Sequence, residues 1–335
     1  MRKIIGLGIA VLIVVALWTA GWFWAADQAR QQVALLAQND GETAPQLTCG
    51  TFNVSGYPFR FDFTCDKAQL VSGDETITVD GIKASVLTYS PNHVIFSARS
   101  PYTMANAFTG SQSQFDFTGF EGSARLEARD LIKGLSGEGW RIGRISVLAD
   151  GIVWNDTVVT PVLQAKADHI EAHLVDIPEL HDKTKGLAGL AAYLNVKGLV
   201  APAFQITAGE GSLDAQVSGL PDDLQAFTDP NAVRNWQAAG GTLTLVKLAG
   251  TQPQPDERFE IKGNAHLTEA GLVAGEITYV TKGVLDRFAG LMPPLQLIAL
   301  KGKPEADGSF SNAMSFVDGQ LKLLAVPVLE IPPLF

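Results

Sequence analysis

The feature that most constrains the fold of this chain is an uncharged, apolar segment close to its N-terminus. No charged residue occurs between Lys3 and Asp27. A helix over this segment rises about 1.5 Å per residue, which is enough to cover the roughly 30 Å hydrocarbon core of a bilayer. Residues 4–26 are therefore predicted to form a transmembrane signal-anchor. Four aromatic residues at its far end suit the level of the lipid headgroups; they are Trp18, Trp22, Phe23 and Trp24.

The charges beside this segment predict its orientation. Arg2 and Lys3 precede it, and the positive-inside rule then keeps residues 1–3 in the cytoplasm as a short tip. Residues 27–40 contain mostly good helix formers and predict a helical stalk. Residues 41–335 are expected to form a periplasmic body, so that the chain is a single-pass protein of a bacterial inner membrane.

A cleaved signal peptide is the alternative interpretation of the same segment. Thr19, Ala20 and Gly21 supply the small residues that a signal peptidase requires. The apolar run is longer than the core of a usual signal peptide, however, and it ends in bulky aromatic residues. These two properties favour an anchor that is retained.

The composition excludes several classes of protein. Of the 335 residues 46% are hydrophobic and 18% are charged, which is too apolar for a disordered chain. The formal net charge of -10 opposes binding to nucleic acid, whose phosphates require clustered Lys and Arg. It equally opposes docking on anionic headgroups through basic residues, so any contact with lipid is expected to be apolar.

Alternation of apolar and polar residues dominates the chain after the anchor. Phe59, Phe61 and Phe63 alternate with Arg60 and Asp62, which is typical of a strand with one buried face. Arg60 and Asp62 would share the opposite face, where they are expected to pair. Segments of this kind recur through the body and are separated by turn residues. They predict a mostly β fold with a few helices (α+β), built from large curved antiparallel sheets and preceded by the single transmembrane helix.

Three segments interrupt the alternation and are predicted to be helices or short helical turns. They are residues 178–194, 221–239 and 283–291. The strands of residues 41–177 and those of residues 195–335 are similar in style. This similarity leaves open a division of the body into two related halves.

The two cysteines of the chain, Cys49 and Cys65, flank a segment that is predicted to contain a turn and a strand. An even pair in an exported protein favours a disulfide, which would contribute about 3 kcal/mol in the loop-entropy account. Two buried free thiols are the alternative, because free cysteine is also often buried. Two cysteines alone make a poor metal site.

One short block of the sequence resembles the signature of a known family. Residues 54–62 (VSGYPFRFD) are similar to the most specific part of a proteobacterial domain-of-unknown-function family, number 2125, and residues 316–323 (FVDGQLKL) resemble the way that family ends. The family brings no catalytic residues to carry over. In general style the chain also looks like AsmA-type envelope proteins, a resemblance that implies a role in lipid movement or outer-membrane assembly.

The signature block supplies the predicted ligand-binding residues. Tyr57, Phe59, Phe61 and Phe63 would line an apolar groove that holds a lipid. The alternative is that they fill an ordinary core at the first hairpin of the body, which is the commoner role of such residues. Residues 56–58 would form the turn that precedes the strand.

The sequence offers little support for catalysis or metal binding. His169 and His173 are the one close pair of histidines, with Asp168 and Glu171 beside them. Their surroundings predict a strand, and a strand would separate the pair by about 13 Å, too far for a common ion. No nucleotide-binding or hydrolase motif occurs. We therefore expect no metal, no cofactor and no enzymatic activity.

Three hypotheses about function follow from these patterns. The first is a non-enzymatic, membrane-anchored periplasmic protein that binds an apolar ligand, such as a lipid, in maintenance of the cell envelope or transport. The second is a scaffold with a closed core that holds an envelope protein partner through its sheet edges or its proline-rich C-terminus. The third is a hydrolase with a carboxylate-based site. A continuous apolar groove would favour the first hypothesis and a filled core the second.

Overall fold

The computed structural model describes residues 2–128, 139–290, 293–323 and 326–335. Strands make up 57% and helices 20% of the structure, and the strands form large antiparallel sheet. The prediction of a mostly β fold with a few helices and one long apolar N-terminal helix is therefore confirmed. The chain forms two compact units: unit 1 contains Met1–Ser123 and Gly151–Gln164, and unit 2 contains Ala124–Asp150 and Ala165–Phe335.

Unit 1 begins with the long helix α1, Arg2–Leu36. Its apolar part is long enough, and poor enough in charge, to cross a membrane. The helix also continues through most of the predicted stalk. The strands that follow are β1 (Gln46–Thr48), β2 (Thr51–Ser55), β3 (Arg60–Ser72), β4 (Glu75–Leu87), β5 (Ser90–Asn106) and β6 (Gln112–Asp116).

In unit 1 the sheet is a meander built on β3. The short strands β1 and β2 both pair with β3, at opposite ends of the strand. β3 pairs with β4, β4 with β5 and β5 with β6, all in antiparallel orientation. Apolar residues at alternate positions of these strands face one side, which explains why the period-two sequence folds in this way.

Three strands have residues in both units: β7 (Gly119–Ala128), β8 (Trp140–Asp156) and β9 (Val162–Asp176). In unit 1, Gly151–Gln164 provides the end of β8, which pairs with β6. The remaining strands belong to unit 2. They are β10 (Leu187–Ala201), β11 (Ile206–Pro221), β12 (Thr242–Gln252), β13 (Glu257–Leu267), β14 (Val273–Lys282), β15 (Lys303–Pro304), β16 (Phe310–Val317), β17 (Gln320–Leu323) and β18 (Val326–Glu330).

In unit 2 consecutive strands pair antiparallel from β9 to β14, and β14 then pairs with β16. β15 lies beside β16, and β17 and β18 continue the sheet. The C-terminus packs on this unit, because the backbone N–H of Leu334 donates to the carbonyl of Gly271 and the Arg234 guanidinium lies 5.0 Å from the centre of the Phe335 ring.

The predicted helix over residues 178–194 is wrong. Residues Pro178–Leu180 form only a 3-10 turn, and β10 starts at Leu187 and pairs on both sides. The leucines that fit a helical spacing, Leu187, Leu190 and Leu194, therefore lie in a paired strand, in which successive side chains point to opposite faces. Gly186, at a φ of +65°, turns the chain into this strand.

The other two predicted helical segments are confirmed in a shorter form. Residues 221–239 contain a 3-10 turn, Leu224–Thr228, and the helix α2, Ala232–Ala238. The third segment contains the 3-10 turn Val284–Phe288, and its last residue lies outside the described residues. The helix α3, Pro294–Lys301, was not predicted. The relation between residues 41–177 and 195–335 as similar halves stays a prediction.

Candidate functional site

The predicted ligand residues of unit 1 lie at the junction between α1 and the sheet. The Phe61 ring stacks on the Trp22 ring with centroids 5.1 Å apart, and the Phe63 ring follows at 6.2 Å from Phe61. The Tyr57 ring stacks on Phe23 at 5.7 Å. Phe59 is the most exposed of the four, at 64%. Ligand binding by these four residues stays a prediction, and what the structure gives them is a shared contact with the anchor.

One face of α1 is bound along the β2–β3 hairpin. Trp18, Trp22, Ala26 and Arg30 follow one another at intervals of four residues, so they lie on the same face of the helix. The Trp18 indole N–H donates to the carbonyl of Pro58 at 3.0 Å, and the Arg30 guanidinium donates to the carbonyl of Val54 at 3.2 Å. Ala26 is fully buried between them.

The helix and the hairpin share a core. Trp22 is 5% exposed and its indole N–H donates to the carbonyl of Arg60 at 3.1 Å. Trp22, Ala26 and Val54 are packed together, with Phe61 and Phe63 against them. Because α1 supplies two of these three buried residues, the apolar face of the first hairpin is closed by the anchor rather than by another strand.

The turn that enters β3 is fixed by a charged pair and a glycine. The Arg60 Nε atom lies 2.8 Å from the Asp62 carboxylate, and the Ser85 hydroxyl donates to the same carboxylate at 2.6 Å. The predicted pairing of Arg60 with Asp62 is therefore confirmed. Gly56 has a φ of +100°, and a Cβ atom there would lie 2.6 Å from the Arg60 side chain. A glycine is required at that position.

The predicted disulfide between Cys49 and Cys65 is present, with Cα atoms 5.3 Å apart. It closes a loop that contains β2. The Cys65 side chain is buried with Ala68 and Val79. The crosslink therefore ties the hairpin that holds α1 to the middle of the unit 1 sheet, and the alternative of two free thiols is wrong.

Unit 2 offers a second candidate site, because its sheet has one apolar and one polar face. Residues directly opposite each other on antiparallel strands share a face. Such residues form rows that run across the strands. One row on the apolar face contains Ile170, Val196, Gly211, Gly250, Phe259, Thr281 and Phe310. The neighbouring row on the same face contains Ala172, Leu194, Leu213, Leu248, Ile261, Tyr279 and Asn312. A row on the other face contains Glu171, Asn195, Ser212, Ala249, Glu260, Val280 and Ser311.

A cavity of about 610 Å³ opens on the apolar face of unit 2. Its wall is formed mainly by aliphatic and aromatic side chains of β10 to β13: Leu194, Val196, Leu199, Ile206, Leu248 and Phe259. The cavity exists in part because Gly211 has no side chain, whereas the space over its partner Gly250 is occupied by the Phe259 ring. A Cβ atom at Gly211 would have only the carbonyl of Ala249 near it, at 3.8 Å.

Polar groups meet at one end of this cavity. Glu257 and Gln252 are both buried, and the Gln252 amide donates to the Glu257 carboxylate at 3.3 Å. The Arg287 guanidinium donates to both carboxylate oxygens of Glu257 from its Nε atom, at 2.9 and 3.0 Å, and to the carbonyl of Phe204. The hydrogen bond to Glu257 raises the pKa of Arg287. The charge is thus paired, while the rest of the wall stays apolar.

The two histidines of the predicted strand have separate partners. His169 and His173 both lie in β9, as expected. The Nδ1 atom of His169 lies 2.7 Å from the Asp150 carboxylate, whereas His173 lies 2.6 Å from the carboxylate of Glu171, and this hydrogen bond lowers the pKa of Glu171. Among the residues that the structure describes, no three His, Cys, Asp or Glu side chains are grouped as metal ligands.

Comparison with known proteins identifies a family but no characterised relative. No curated protein matches the chain, and no solved structure matches it. A family model described as "Uncharacterized protein conserved in bacteria (DUF2125)" matches residues 22–332, which is nearly the whole chain and includes the GYPFRF block that holds α1. The chain therefore belongs to the DUF2125 family.

Proposed function

We propose that this chain is a non-enzymatic, membrane-anchored protein of the bacterial envelope that binds an apolar ligand, of the class of a lipid acyl chain, in the cavity of unit 2. The observation that carries the proposal is the cavity itself. Its volume of about 610 Å³ falls in the range of about 300–1,000 Å³ that is usual for sites of small ligands. A filled core, as the scaffold hypothesis requires, would leave no such space.

The chemistry of the wall supports an elongated apolar ligand with one polar end. Leu194, Val196 and Leu248 present hydrocarbon along the sheet, and such surface gains about 25 cal/mol for each Å² withdrawn from water. Gln252, Glu257 and the guanidinium of Arg287 are bound to one another and make one end of the cavity polar, where the polar end of a ligand would lie. A ligand that is polar throughout would lose its hydration without compensation along the apolar wall.

The proposed location rests on α1 and on the disulfide. α1 is long and apolar enough to cross a bilayer, and the basic residues before it favour a cytoplasmic N-terminus. Unit 1 then lies in the periplasm, an oxidising compartment in which a disulfide such as that of Cys49 and Cys65 persists. Retention of the anchor is supported by the contacts of Trp18 and Thr19, which a cleavage after Gly21 would remove, with Pro58 and Tyr57.

The test is native mass spectrometry of the full-length protein, extracted from the membrane of its own host in a mild detergent, with analysis of the bound lipid. We expect about one lipid molecule per chain in the wild type. Gly211→Leu places a side chain into the cavity at a position where its Cβ meets no clash, and it should abolish co-purification. Repeated recovery of folded, lipid-free wild type would contradict the proposal and favour the scaffold.

A matched control lies on the same strand. Gln216 of β11 is exposed, so that Gln216→Leu adds the same side chain to the opposite face and should leave lipid binding intact. If both variants lose lipid, the effect comes from the strand rather than from the cavity. The same measurement on Phe59→Ser, which changes the most exposed of the four predicted ligand residues, tests whether the signature block takes part in binding.

A further inference from the structure

In unit 1 the tips of two hairpins, which are the turns between β2 and β3 and between β4 and β5, are held at a fixed position along α1. The carbonyl of Pro58 accepts from Trp18 at 3.0 Å, and the Tyr57 hydroxyl lies 2.8 Å from the hydroxyl of Thr19. The tip of the β2–β3 hairpin is therefore in contact with the fifth turn of the helix, well before the first charged residue that follows, Asp27.

We propose that these two tips, residues 56–59 between β2 and β3 and residues 88–89 between β4 and β5, lie within the periplasmic leaflet of the membrane and contact lipid directly. The proposal rests on the placement of α1 across the bilayer that is part of the proposed function. It assigns a second membrane contact to the chain, made by the sheet rather than by the helix. Its partner is the lipid bilayer.

The depth follows from the length of the helix. About 20 helical residues are needed to cross the hydrocarbon core, so a span that starts at Ile4 ends close to Phe23. Trp18 lies five residues earlier, roughly 7.5 Å deeper along the helix. A span that ended at Trp18 would cover only about 22 Å and would draw Lys3 towards the hydrocarbon, which is costly. The tip that contacts Trp18 is therefore at membrane depth.

The second tip is tied to the first. Both the backbone N–H and the hydroxyl of Thr88 donate to the carbonyl of Phe59, each at 2.9 Å. A cavity of about 300 Å³ lies beside them and is lined by Leu17, Trp18 and Trp22 of α1 and by Leu87 and Pro91 of the second hairpin. Both tips thus meet the same stretch of the helix.

The composition of the tips fits a lipid surface. Residues 50–59 and 84–92 carry no charge. Phe59 is 64% and Tyr89 74% exposed, which is unfavourable for such large rings in water and favourable at the boundary between headgroups and acyl chains. The nearest charge, on Arg60, is paired with Asp62. The other end of the β3–β4 hairpin carries Asp74 and Glu75 instead.

Spin labels on the full-length protein in lipid nanodiscs test the proposal. The two native cysteines are joined, so a single added cysteine is the one site of labelling. Tyr89→Cys and Phe59→Cys report on the tips. Asp74→Cys is the matched control, because it lies at the far end of β4, roughly 40 Å away at about 3.3 Å per residue. Leu12→Cys reports on the middle of the predicted span.

The readout is the accessibility of each label to oxygen, which concentrates in lipid, and to a nickel chelate, which stays in water. We expect the ratio of the two at residues 59 and 89 to be several-fold higher than at residue 74 and to approach that at residue 12. Labels at 59 and 89 that are as accessible to nickel as the label at 74, with residue 12 in lipid, would overturn the proposal and leave the anchor intact.

Two further outcomes also decide the matter. If the label at residue 12 is in water, the placement of α1 fails and this proposal fails with it. If one tip is in lipid and the other in water, the proposal is overturned, because the hydrogen bonds between Thr88 and Phe59 hold both tips at one depth.

Discussion

Replacing Trp22 by alanine should loosen the attachment of the anchor to the sheet. Trp22 is 5% exposed, stacks on Phe61 and donates to the carbonyl of Arg60. Trp24→Ala is the matched control, because that residue is the same type, lies two positions further along the same helix and is 67% exposed. The two variants remove the same atoms from opposite sides of α1.

The size of the effect can be worked out from these contacts. A tryptophan side chain buries on the order of 200 Å², which is worth about 5 kcal/mol at about 25 cal/mol per Å². When α1 separates from the sheet it stays beside lipid headgroups, which partly shield the indole from water. Only about half of the 5 kcal/mol is therefore lost. The lost hydrogen bond adds about 1 kcal/mol. We expect a cost of about 3.5 kcal/mol, which is roughly 300-fold in the equilibrium between the attached and the separated state.

Hydrogen exchange of the full-length protein in nanodiscs, read by mass spectrometry, measures this equilibrium at the amides of β2 and the start of β3. Exchange there should be roughly 300-fold faster in Trp22→Ala than in the wild type. Trp24→Ala should change it by no more than about threefold, as is usual for an exposed position. Equal exchange in the two variants would show that the stacked pair of Trp22 and Phe61 does not hold the hairpin.

Three further predictions concern unit 1. Replacing Cys49 and Cys65 together by serine should lower the free energy of unfolding by about 3 kcal/mol, and a loss in urea denaturation well under 1 kcal/mol would contradict this. Hydrogen bonds from Thr43 and from the backbone lower the pKa of Asp40 from 3.8 to about 2. Its contribution to stability should therefore be complete above about pH 4 and be lost as the pH falls through about 2, and an NMR titration that gives a folded-state pKa near 3.8 would refute it. Gly56→Ala should destabilise unit 1 by more than Gly73→Ala. Both sites have positive φ, which costs a residue with a side chain about 1–3 kcal/mol, but of the two only Gly56 would bring the new Cβ closer than 3 Å to other atoms. Equal losses of unfolding free energy in urea denaturation would argue against the clash.

The local structure of the signature block could be predicted from the sequence. Alternation of Phe61 and Phe63 with polar residues fixes which side chains share a face, so the pairing of Arg60 with Asp62 followed directly. The sequence did not predict that α1 packs against this aromatic face. Trp18, Trp22, Ala26 and Arg30 recur at intervals of four residues and so share one face of the helix, but the sequence does not show which strands that face contacts.

The cavity of unit 2 could not be predicted from the sequence, for a different reason. Gly211 and Gly250 are neighbours only because β11 and β12 pair in one register, and a shift of one residue would place them on opposite faces. The helix predicted over residues 178–194 failed for a related reason. Leu187, Leu190 and Leu194 fit a helical spacing, and it is pairing with β9 and β11 that selects the strand.

The packing of α1 against Val54 makes the anchor part of the folded body. A chain that started after Ala26 would lose Trp22 and Ala26 from the core around Val54 and would expose the rings of Phe61 and Phe63. Such a fragment would gain an apolar patch and a tendency to bind detergent or lipid at the wrong place. Lipid that is recovered with the full-length protein and lost in Gly211→Leu is free of that ambiguity, since the substitution lies in unit 2 and leaves the contacts of α1 unchanged.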